Sequence, residues 1–330
     1  MQDTNTNIDQ ISDKLIAYLK DELNNPGIEY GSPIMRLQGG YETSTFRFKL
    51  NGVENELSAF LVLRLYPQFY GPHNAIWEST VQNVLAREGY PVAKAHFVCT
   101  DMSILGGAFF IMDYLPGQLL MSAPPDTVPT LMGKTQAELH NIDSQPLIKA
   151  LKKQGVDEYG YSLDGRYDGL NKRVSKLPWI RESANWLLAN RPPEPENLAI
   201  CHGDFHPLNI LVADGMVTGV LDWPGFAITD PVFDVANTVV LTTIPSKYLI
   251  ASMEGFESVD WDLFGEAYLA AYRTYRQLDS TNLDYYKVKR CVMALIQGFE
   301  GQKVWQHPMI VADLVGYIHE ITGIQIMIPS

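Results

Sequence analysis

The sequence predicts an α+β protein with two lobes, a small β-rich one followed by a larger α-rich one. Up to residue 112 the apolar segments are short and bounded by turn residues, which is typical of strands. From residue 131 onward the apolar residues recur mainly at helical spacing. The 330 residues suffice for about two domains of roughly 150 residues. We therefore predict a first lobe over 1–112, a hinge over 113–117 and a second lobe over 118–330.

The predicted elements of the first lobe follow from periodicity and turn residues. A helix is expected over 8–23, where apolar residues share one face and Pro26-Gly27 ends the run. Strands are expected at 34–37, 46–50 and 57–65, and Asn51-Gly52 predicts a hairpin turn between the last two. A helix over 74–88 and a strand pair near 95–100 and 107–112 complete the lobe.

The second lobe is predicted to be helical around one compact hairpin. Prolines in 121–130 predict a loop. The hairpin unit covers 198–222, with Asp214-Gly215 as its turn. The expected helices cover 131–142, 146–154, 179–190, 231–242, 261–278, 283–303 and 308–322.

Composition excludes several classes of protein. The 25 basic and 38 acidic residues give a net charge of −13, and the sequence has no run of Lys and Arg, so we expect no nucleic-acid partner. We see no secretory signal and no stretch of about 18 apolar residues, so we expect no membrane association. Cys99, Cys201 and Cys291 lie far apart, which favours reduced thiols and the cytoplasm.

The chemistry is concentrated in residues 201–223, which read CHGDFHPLNILVADGMVTGVLDW. A hairpin over 210–221 brings its two ends together, so Asn209 and Asp222 are expected side by side. Their amide and carboxylate oxygens suit Mg²⁺. Asp204 begins the same loop and is expected near the metal without binding it, where it would accept a proton from an attacking hydroxyl. This division of roles is the one that phosphoryl transfer needs.

Two other interpretations of this segment remain open. His202, Asp204 and His206 have the residue types of a metal-dependent hydrolase, although that site leaves Asn209 and Asp222 unexplained. His202 is otherwise expected to hold the loop by hydrogen bonds. A nucleotide-binding pseudoenzyme with little catalytic activity is the other alternative.

The spacing H-G-D-x-x-x-x-N resembles the catalytic loop of protein kinases. The longer pattern HGDFHPLNILV…VLDW, with DPVFDVA at 230–236, resembles the aminoglycoside phosphotransferase and choline-kinase-like family more closely. The resemblance implies a protein-kinase-like fold and a kinase of small molecules. It covers about residues 34–240, and the helices over 240–330 are expected to be substrate-specific. Asp234 is expected to brace the catalytic loop.

The resemblance also suggests nucleotide-binding residues in the first lobe. FLVLRLYP at 60–67 is similar to the strand whose cation holds the phosphates, with Arg64 in place of the lysine of protein kinases and Val62 on the same face. Glu78 on the next helix is the expected partner of Arg64. Residues 37–48 correspond to the loop that covers the phosphates, which implies contacts from Gly40 and Ser44. FFIMDYLPG at 109–117 resembles the hinge strand, whose backbone at Asp113, Tyr114 and Leu115 would face the base.

Together these features predict a kinase that moves the γ-phosphate of ATP or GTP to a hydroxyl group of a small molecule. Mg²⁺ is the expected cofactor. The net charge is compatible with a cationic acceptor such as an aminoglycoside or an amino alcohol, while macrolides and sugars also remain candidates.

Overall fold

A computed structural model describes residues 8–37, 43–193, 195–196, 198–251 and 255–329. The chain divides into two units. The first comprises Met1–Pro116, Lys149–Gln154 and Thr218–Val220, and the second comprises Gly117–Ile148, Gly155–Val217 and Leu221–Ser330. Two short segments from the later part of the chain therefore belong with the first unit. The lobes predicted from the sequence are contiguous and do not show this division. Backbone pairing gives one reason, since the Val220 amide donates to the Pro91 carbonyl at 2.7 Å.

The first unit is built on an antiparallel sheet of five strands in the order β1-β2-β3-β5-β4. The strands are β1 (Glu29–Arg36), β2 (Ser44–Asn51), β3 (Phe60–Leu65), β4 (Ala95–Cys99) and β5 (Phe109–Asp113). The helices are α1 (Ile8–Glu22), α2 (His73–Arg87) and the one-turn α3 (Met102–Leu105).

The alternation of β3 gives this sheet two different faces. Leu61, Leu63 and Leu65 belong to a core that they share with buried residues of α1. Val62 and Tyr66 belong to a second apolar cluster, with Phe110, on the other face. Since successive side chains of a strand point to opposite sides, Arg64 lies on the same face as Val62.

The predicted hairpin at Asn51-Gly52 is wrong in detail. Strand β2 runs through Asn51, but β3 begins only at Phe60, and a 3₁₀ turn over Asn55–Leu57 lies between them. Gly52 has φ +76°, so it does turn the chain, but within a longer connection. The predicted strand over 57–65 therefore loses its first residues, while the strand predicted at 34–37 begins earlier, at Glu29.

Helices dominate the rest of the chain. They are α4 (Val128–His140), α5 (Gln145–Lys153), α6 (Glu158–Tyr161), α7 (Leu163–Val174), α8 (Arg181–Ala189), α9 (Pro231–Thr243), α10 (Ser246–Leu249), α11 (Trp261–Tyr275), α12 (Leu283–Phe299) and α13 (Pro308–Thr322). The short strands are β6 (Gln118–Leu119), β7 (Ala199–Cys201), β8 (Ile210–Ala213), β9 (Met216–Val220) and β10 (Ala227–Thr229). Strand β10 pairs antiparallel with β7, and β8 lies between β6 and β9.

The core of the second unit surrounds α12. Cys291, Val292 and Leu295 of this helix are buried in one cluster with residues of α7, α8, α9 and α13. Strands β7 and β10 contribute Cys201 and Ala227 to the same cluster. The catalytic segment that follows β7 therefore begins at the core of this unit.

Helices α4 and α7 of this unit differ from the prediction for physical reasons. Helix α4 begins at Val128 and not at 131, because Pro129 occupies its first turn, where a proline needs no amide donor. Helix α7 was not predicted, and its glycines and charged residues obscured it. Its buried residues Leu163, Tyr167, Leu170 and Val174 nevertheless have helical spacing.

The Asp214-Gly215 turn is confirmed. Both residues have positive φ, +52° and +73°, as a two-residue turn between twisted strands requires. None of the helices formed by the described residues is long and apolar enough to cross a membrane.

Candidate active site

The segment from His202 to Asp204 follows the buried strand β7 directly. Gly203 has φ +81° and lies against the backbone of Gly225, so a side chain at this position would collide with the carbonyl of Gly225. The glycine therefore lets the chain turn sharply between a buried histidine and a partly exposed aspartate.

Asp234 on α9 braces this turn, as predicted. Its carboxylate accepts hydrogen bonds from the backbone amides of His202, at 2.8 Å, and Gly203, at 2.6 Å. It also contacts Gln136 Nε2 at 2.9 Å and His140 Nε2 at 3.1 Å, both on α4. Burial alone would raise the pKa of Asp234, but its hydrogen bond with His140 and the charges around it lower that pKa.

His202 uses both ring nitrogens inside the protein. Nε2 lies 2.8 Å from the carbonyl oxygen of Leu221, and Nδ1 accepts from the amide of Asp204 at 3.2 Å. Burial lowers the pKa of His202, which favours the neutral ring with its proton on Nε2. The ring thus ties the start of the catalytic loop to the end of the hairpin, which is the structural role expected from the sequence.

The side chain of Asp204 is 44% exposed, and its Oδ2 lies 3.5 Å from Nε2 of His206. Burial pushes the pKa of Asp204 up, but the hydrogen bond and charge of His206, together with the charge of Arg290, outweigh it and hold that pKa at about 2. The carboxylate is therefore ionised at neutral pH and presents a negative charge to whatever lies beside it.

Asn209 and Asp222 are brought together by the hairpin. The amide of Leu221 donates to the backbone carbonyl of Asn209 at 2.8 Å, so the residue after Leu221 begins beside Asn209. Nδ2 of Asn209 donates to the carbonyl of Asp204 at 3.0 Å. This bond fixes the amide nitrogen of Asn209 and leaves its amide oxygen for other contacts. An amide oxygen and a carboxylate are both hard oxygen donors of the kind that Mg²⁺ prefers.

Asp222 adopts an unusual backbone conformation. Its φ is +68°, in the left-handed region that few residues other than glycine enter, although aspartate tolerates it better than most. The strained position directs the chain out of the hairpin immediately before Trp223, which is fully buried. Such strain is frequent at functional positions, where the surrounding packing compensates for it.

The first unit pairs Arg64 with Glu78. Arg64 Nε lies 3.1 Å from Glu78 Oε2, and the two side chains are 11% and 1% exposed. Glu78 is held further by the hydroxyl of Tyr66 and by Gln82 Nε2, which lies 3.4 Å from Oε1. A guanidinium held at this depth by a buried carboxylate is a suitable ligand for a phosphate group.

The other predicted nucleotide-binding residues of the first unit differ in burial and in hydrogen bonding. Val62 is buried, 5% exposed, on the same face of β3 as Arg64. Ser44 Oγ accepts a hydrogen bond from Arg36 at 3.4 Å. The predicted contact from Gly40 lies outside the described residues.

Two backbone amides of the hinge already form hydrogen bonds within the first unit. The amide of Asp113 donates to the carbonyl of Lys94 at 3.0 Å, and the amide of Tyr114 donates to the carbonyl of Phe60 at 3.1 Å. Two of the three amides that were predicted to face a base therefore already donate hydrogen bonds within the protein. A purine bound here would depend on the carbonyl groups of the segment and on the amide of Leu115.

The comparison with known families decides the identity of the fold and the class of reaction. The model of the phosphotransferase enzyme family (APH) matches residues 33–280, well over half of the chain. This chain belongs to that family. The family that the resemblance implied is therefore confirmed.

One curated relative is much longer than this chain. Over 199 residues it is 30% identical to acyl-CoA dehydrogenase family member 11 of Gallus gallus, which covers 53% of this chain. The chain spans about a quarter of that relative, 24% of its length.

Solved structures show the same fold. A thermostable mutant of aminoglycoside phosphotransferase APH(4)-Ia, in a ternary complex with ADP and hygromycin B, has a TM-score of 0.63 at 16% identity, over 93% of this chain and 99% of that one. Ethanolamine kinase of Plasmodium vivax has a TM-score of 0.58 at 15% identity, over 90% of this chain and 85% of that one. The predicted α+β, protein-kinase-like fold is confirmed.

The geometry of the segment over 202–206 argues against the metal-hydrolase alternative. Both ring nitrogens of His202 are engaged within the protein. Among the described residues, the group of side chains close enough to share a metal ion is His140, Cys201 and Asp234, which is buried and contains neither Asp204 nor His206. The set His202, Asp204 and His206 therefore does not form a metal centre.

Arg290, whose charge contributes to the low pKa of Asp204, was not predicted as a site residue. It lies on α12, in the part of the chain to which the sequence assigned no motif. The signal was weak, since a basic residue on an amphipathic helix is usually solvated.

Proposed function

We propose that this chain transfers the γ-phosphate of ATP to a hydroxyl group of a small molecule, with GTP as the alternative donor. The supporting observation is that one loop and one hairpin bring Asp204, Asn209 and Asp222 together on a buried brace, Asp234. In the reaction the hydroxyl oxygen forms a bond to the γ-phosphorus, the bond from that phosphorus to the β–γ bridging oxygen breaks, and the hydroxyl proton leaves.

Asp204 is the residue that receives the acceptor. As a carboxylate with a pKa of about 2, it accepts a hydrogen bond from the hydroxyl group and orients its oxygen. A base this weak takes the proton only late in the reaction, as the bond to phosphorus forms, which suits the loose transition state of phosphoryl transfer. Positioning and electrostatics therefore account for most of the rate enhancement.

Asn209 and Asp222 are proposed as the protein ligands of Mg²⁺. The ion bound there would neutralise charge on the nucleotide phosphates. The chain keeps these two donors in place through the Asn209 side-chain bond to Asp204 and the backbone bond from Leu221.

Arg64 is proposed to bind the phosphates from the first unit, with Glu78 as the residue that orients it. Val62, Ser44, Gly40 and the backbone at 113–115 remain proposed contacts of the nucleotide. We also propose the cytoplasm as the compartment, because the three cysteines are free and buried.

Asp222→Asn tests the metal role, with Asp214→Asn as a matched control. Both substitutions remove one carboxylate from the same hairpin at a position of positive φ, but Asp214 is exposed at the turn. Thermal unfolding is followed with ATP and with GTP, each with and without Mg²⁺. Mg-nucleotide at a hundred times its Kd should stabilise the protein by roughly 2.7 kcal/mol.

We expect this stabilisation in the original chain and in Asp214→Asn, and a large loss of it in Asp222→Asn. An unchanged magnesium titration in Asp222→Asn would contradict the metal role. No stabilisation of the original chain by either nucleotide would contradict the kinase proposal and favour a pseudoenzyme.

A further inference from the structure

Three cationic side chains come together beside the candidate active site in the second unit. They are Arg166 on α7 and Lys289 and Arg290 on α12. Within the described part of the chain, none of the three forms an ion pair with a carboxylate. We call Arg166, Lys289 and Arg290 the cationic cluster.

Lys289 is the most buried member, at 5% exposure. Its Nζ lies 5.2 Å from the ring centroid of Tyr167 and 5.0 Å from that of Phe233. Arg166 shares this setting, with its Cζ 5.6 Å from the centroid of Phe233. Aromatic faces attract a cation, but they do not replace an anion as its partner.

The cationic cluster adjoins Asp204 in two ways. Arg166 Nη2 donates to the carbonyls of Gly225, at 2.5 Å, and Phe226, at 2.8 Å. Gly225 packs on the catalytic loop, because a Cβ built on it would lie 3.8 Å from the Cβ of Asp204. Arg290 is near enough for its charge and that of Asp204 to act on each other.

Burial of this lysine is unfavourable for folding. Burial lowers the pKa of Lys289 to about 7, and the charges of Arg166, Arg290 and Arg191 act in the same direction. A buried cation with cationic neighbours costs stability unless something else compensates for it. An anion bound beside it would provide the missing compensation, and Arg166 and Arg290 are partly exposed, so part of the cluster is accessible to a ligand.

We propose that the alcohol phosphorylated by this chain carries an anionic group, a carboxylate or a phosphate, which binds to Lys289 and Arg290 while the hydroxyl group meets Asp204. This inference rests on the proposed function and names its substrate class. It differs from the cationic acceptor with which the net charge of −13 is compatible, because a local cluster and not the total charge decides what binds beside Asp204.

Lys289→Met tests this proposal, with Lys287→Met as the matched control. Methionine keeps the length and apolar contacts of the lysine stem. Lys287 lies on the same helix, but it pairs with Asp284 at 3.8 Å and lies over Tyr317. Lys289→Arg restores the charge and separates a charge effect from a packing effect.

Thermal unfolding is followed at constant ionic strength with four small alcohols as probes. Glycerate carries a carboxylate, glycerol 3-phosphate carries a phosphate, glycerol is neutral and ethanolamine is cationic. We expect the anionic probes to stabilise the original chain and Lys287→Met more than glycerol does. In Lys289→Met their apparent affinity should fall about tenfold or more, as loss of a charged hydrogen-bond partner implies, and Lys289→Arg should recover most of it.

The comparison of glycerate with glycerol 3-phosphate tells which anion the cluster prefers. Equal responses to anionic and neutral probes in the original chain would overturn the proposal, as would an anion response retained in Lys289→Met. Mg-ATP is titrated in parallel. Mg-GTP is titrated in the same way. Stabilisation by either nucleotide without an anion preference leaves the kinase proposal standing and rejects only this inference, whereas no response to either nucleotide rejects the kinase proposal itself.

Discussion

Asp204 and Asp222 are both aspartates of the catalytic segment, but the chain controls them by different means. Electrostatics set the state of Asp204, since His206 and Arg290 outweigh the effect of burial and keep its pKa at about 2. The backbone conformation of Asp222, with φ at +68°, fixes the direction in which its side chain leaves the backbone. The role proposed for Asp204 needs a carboxylate that stays ionised. The role proposed for Asp222 needs a carboxylate that stays in place.

Asp204→Asn should separate catalysis from nucleotide binding. The amide keeps the shape of the side chain but loses the charge that orients the acceptor hydroxyl. We expect kcat to fall at least about a hundredfold, as for loss of a general base, with unchanged affinity for Mg-nucleotide. The measurement is the rate of ADP formation with an accepted alcohol, together with a binding titration.

His206→Ala is the comparison for that experiment. His206 contacts Asp204 at 3.5 Å but has no proposed contact with the reacting atoms, so its loss should be milder. A larger loss from His206→Ala than from Asp204→Asn, or near-normal turnover of Asp204→Asn, would contradict the roles assigned here.

At the level of elements, helices α4 and α9 together hold the loop that follows β7. Helix α9 supplies Asp234, and α4 supplies Gln136 and His140 to the same carboxylate. The loop backbone donates to it from His202 and Gly203. One buried carboxylate therefore joins three elements that are far apart in sequence.

Asp234→Asn should destabilise the protein. The substitution removes the charge and brings an NH₂ group against four donors, so at least one buried donor is left without an acceptor. We expect a loss of at least about 2 kcal/mol in the free energy of unfolding, measured by urea denaturation.

Asp230→Asn is the matched control on the same helix. Asp230 caps α9 by accepting from the amide of Val232 at 2.9 Å, and asparagine is an equally good capping residue. The control should therefore remain within a few tenths of a kcal/mol of the original chain. Equal losses from the two substitutions would show that Asp234 has no special role in joining these elements.

On the scale of the whole molecule, burial of the charged Lys289 side chain should lower the free energy of unfolding. Its pKa is lowered to about 7 in the folded chain, against an ordinary value of 10.5. Below about pH 7 the lysine is charged in both states and the full cost of its burial is present. Between that pH and about 10.5 the unfolded chain binds a proton that the folded chain does not, so rising pH relieves the cost.

Lys289→Met should therefore be more stable than the original chain at about pH 6, and this difference should shrink at about pH 9. The free energy of unfolding of both proteins is measured at each pH. Other titrating groups contribute equally to the two values, so their effects cancel in the difference. Lys287→Met is the control for removing a lysine from the same helix, since Lys287 is less buried than Lys289 and pairs with Asp284. A difference between Lys289→Met and the original chain that is independent of pH would mean that the lysine is not buried as a cation.

The sequence by itself determined the α+β class, the hairpin that joins Asn209 to Asp222, and Asp204 as the candidate that receives the acceptor. These features are local, because a turn such as Asp214-Gly215 and a spacing of a few residues fix them without distant contacts. The tertiary structure decided the rest. The charge of Arg290 acts on Asp204, and Lys289 lies beside Phe233, only because α12 packs in the core of the second unit. No pattern in the sequence encodes that approach, since the burial and charge around a side chain depend on elements that are distant along the chain.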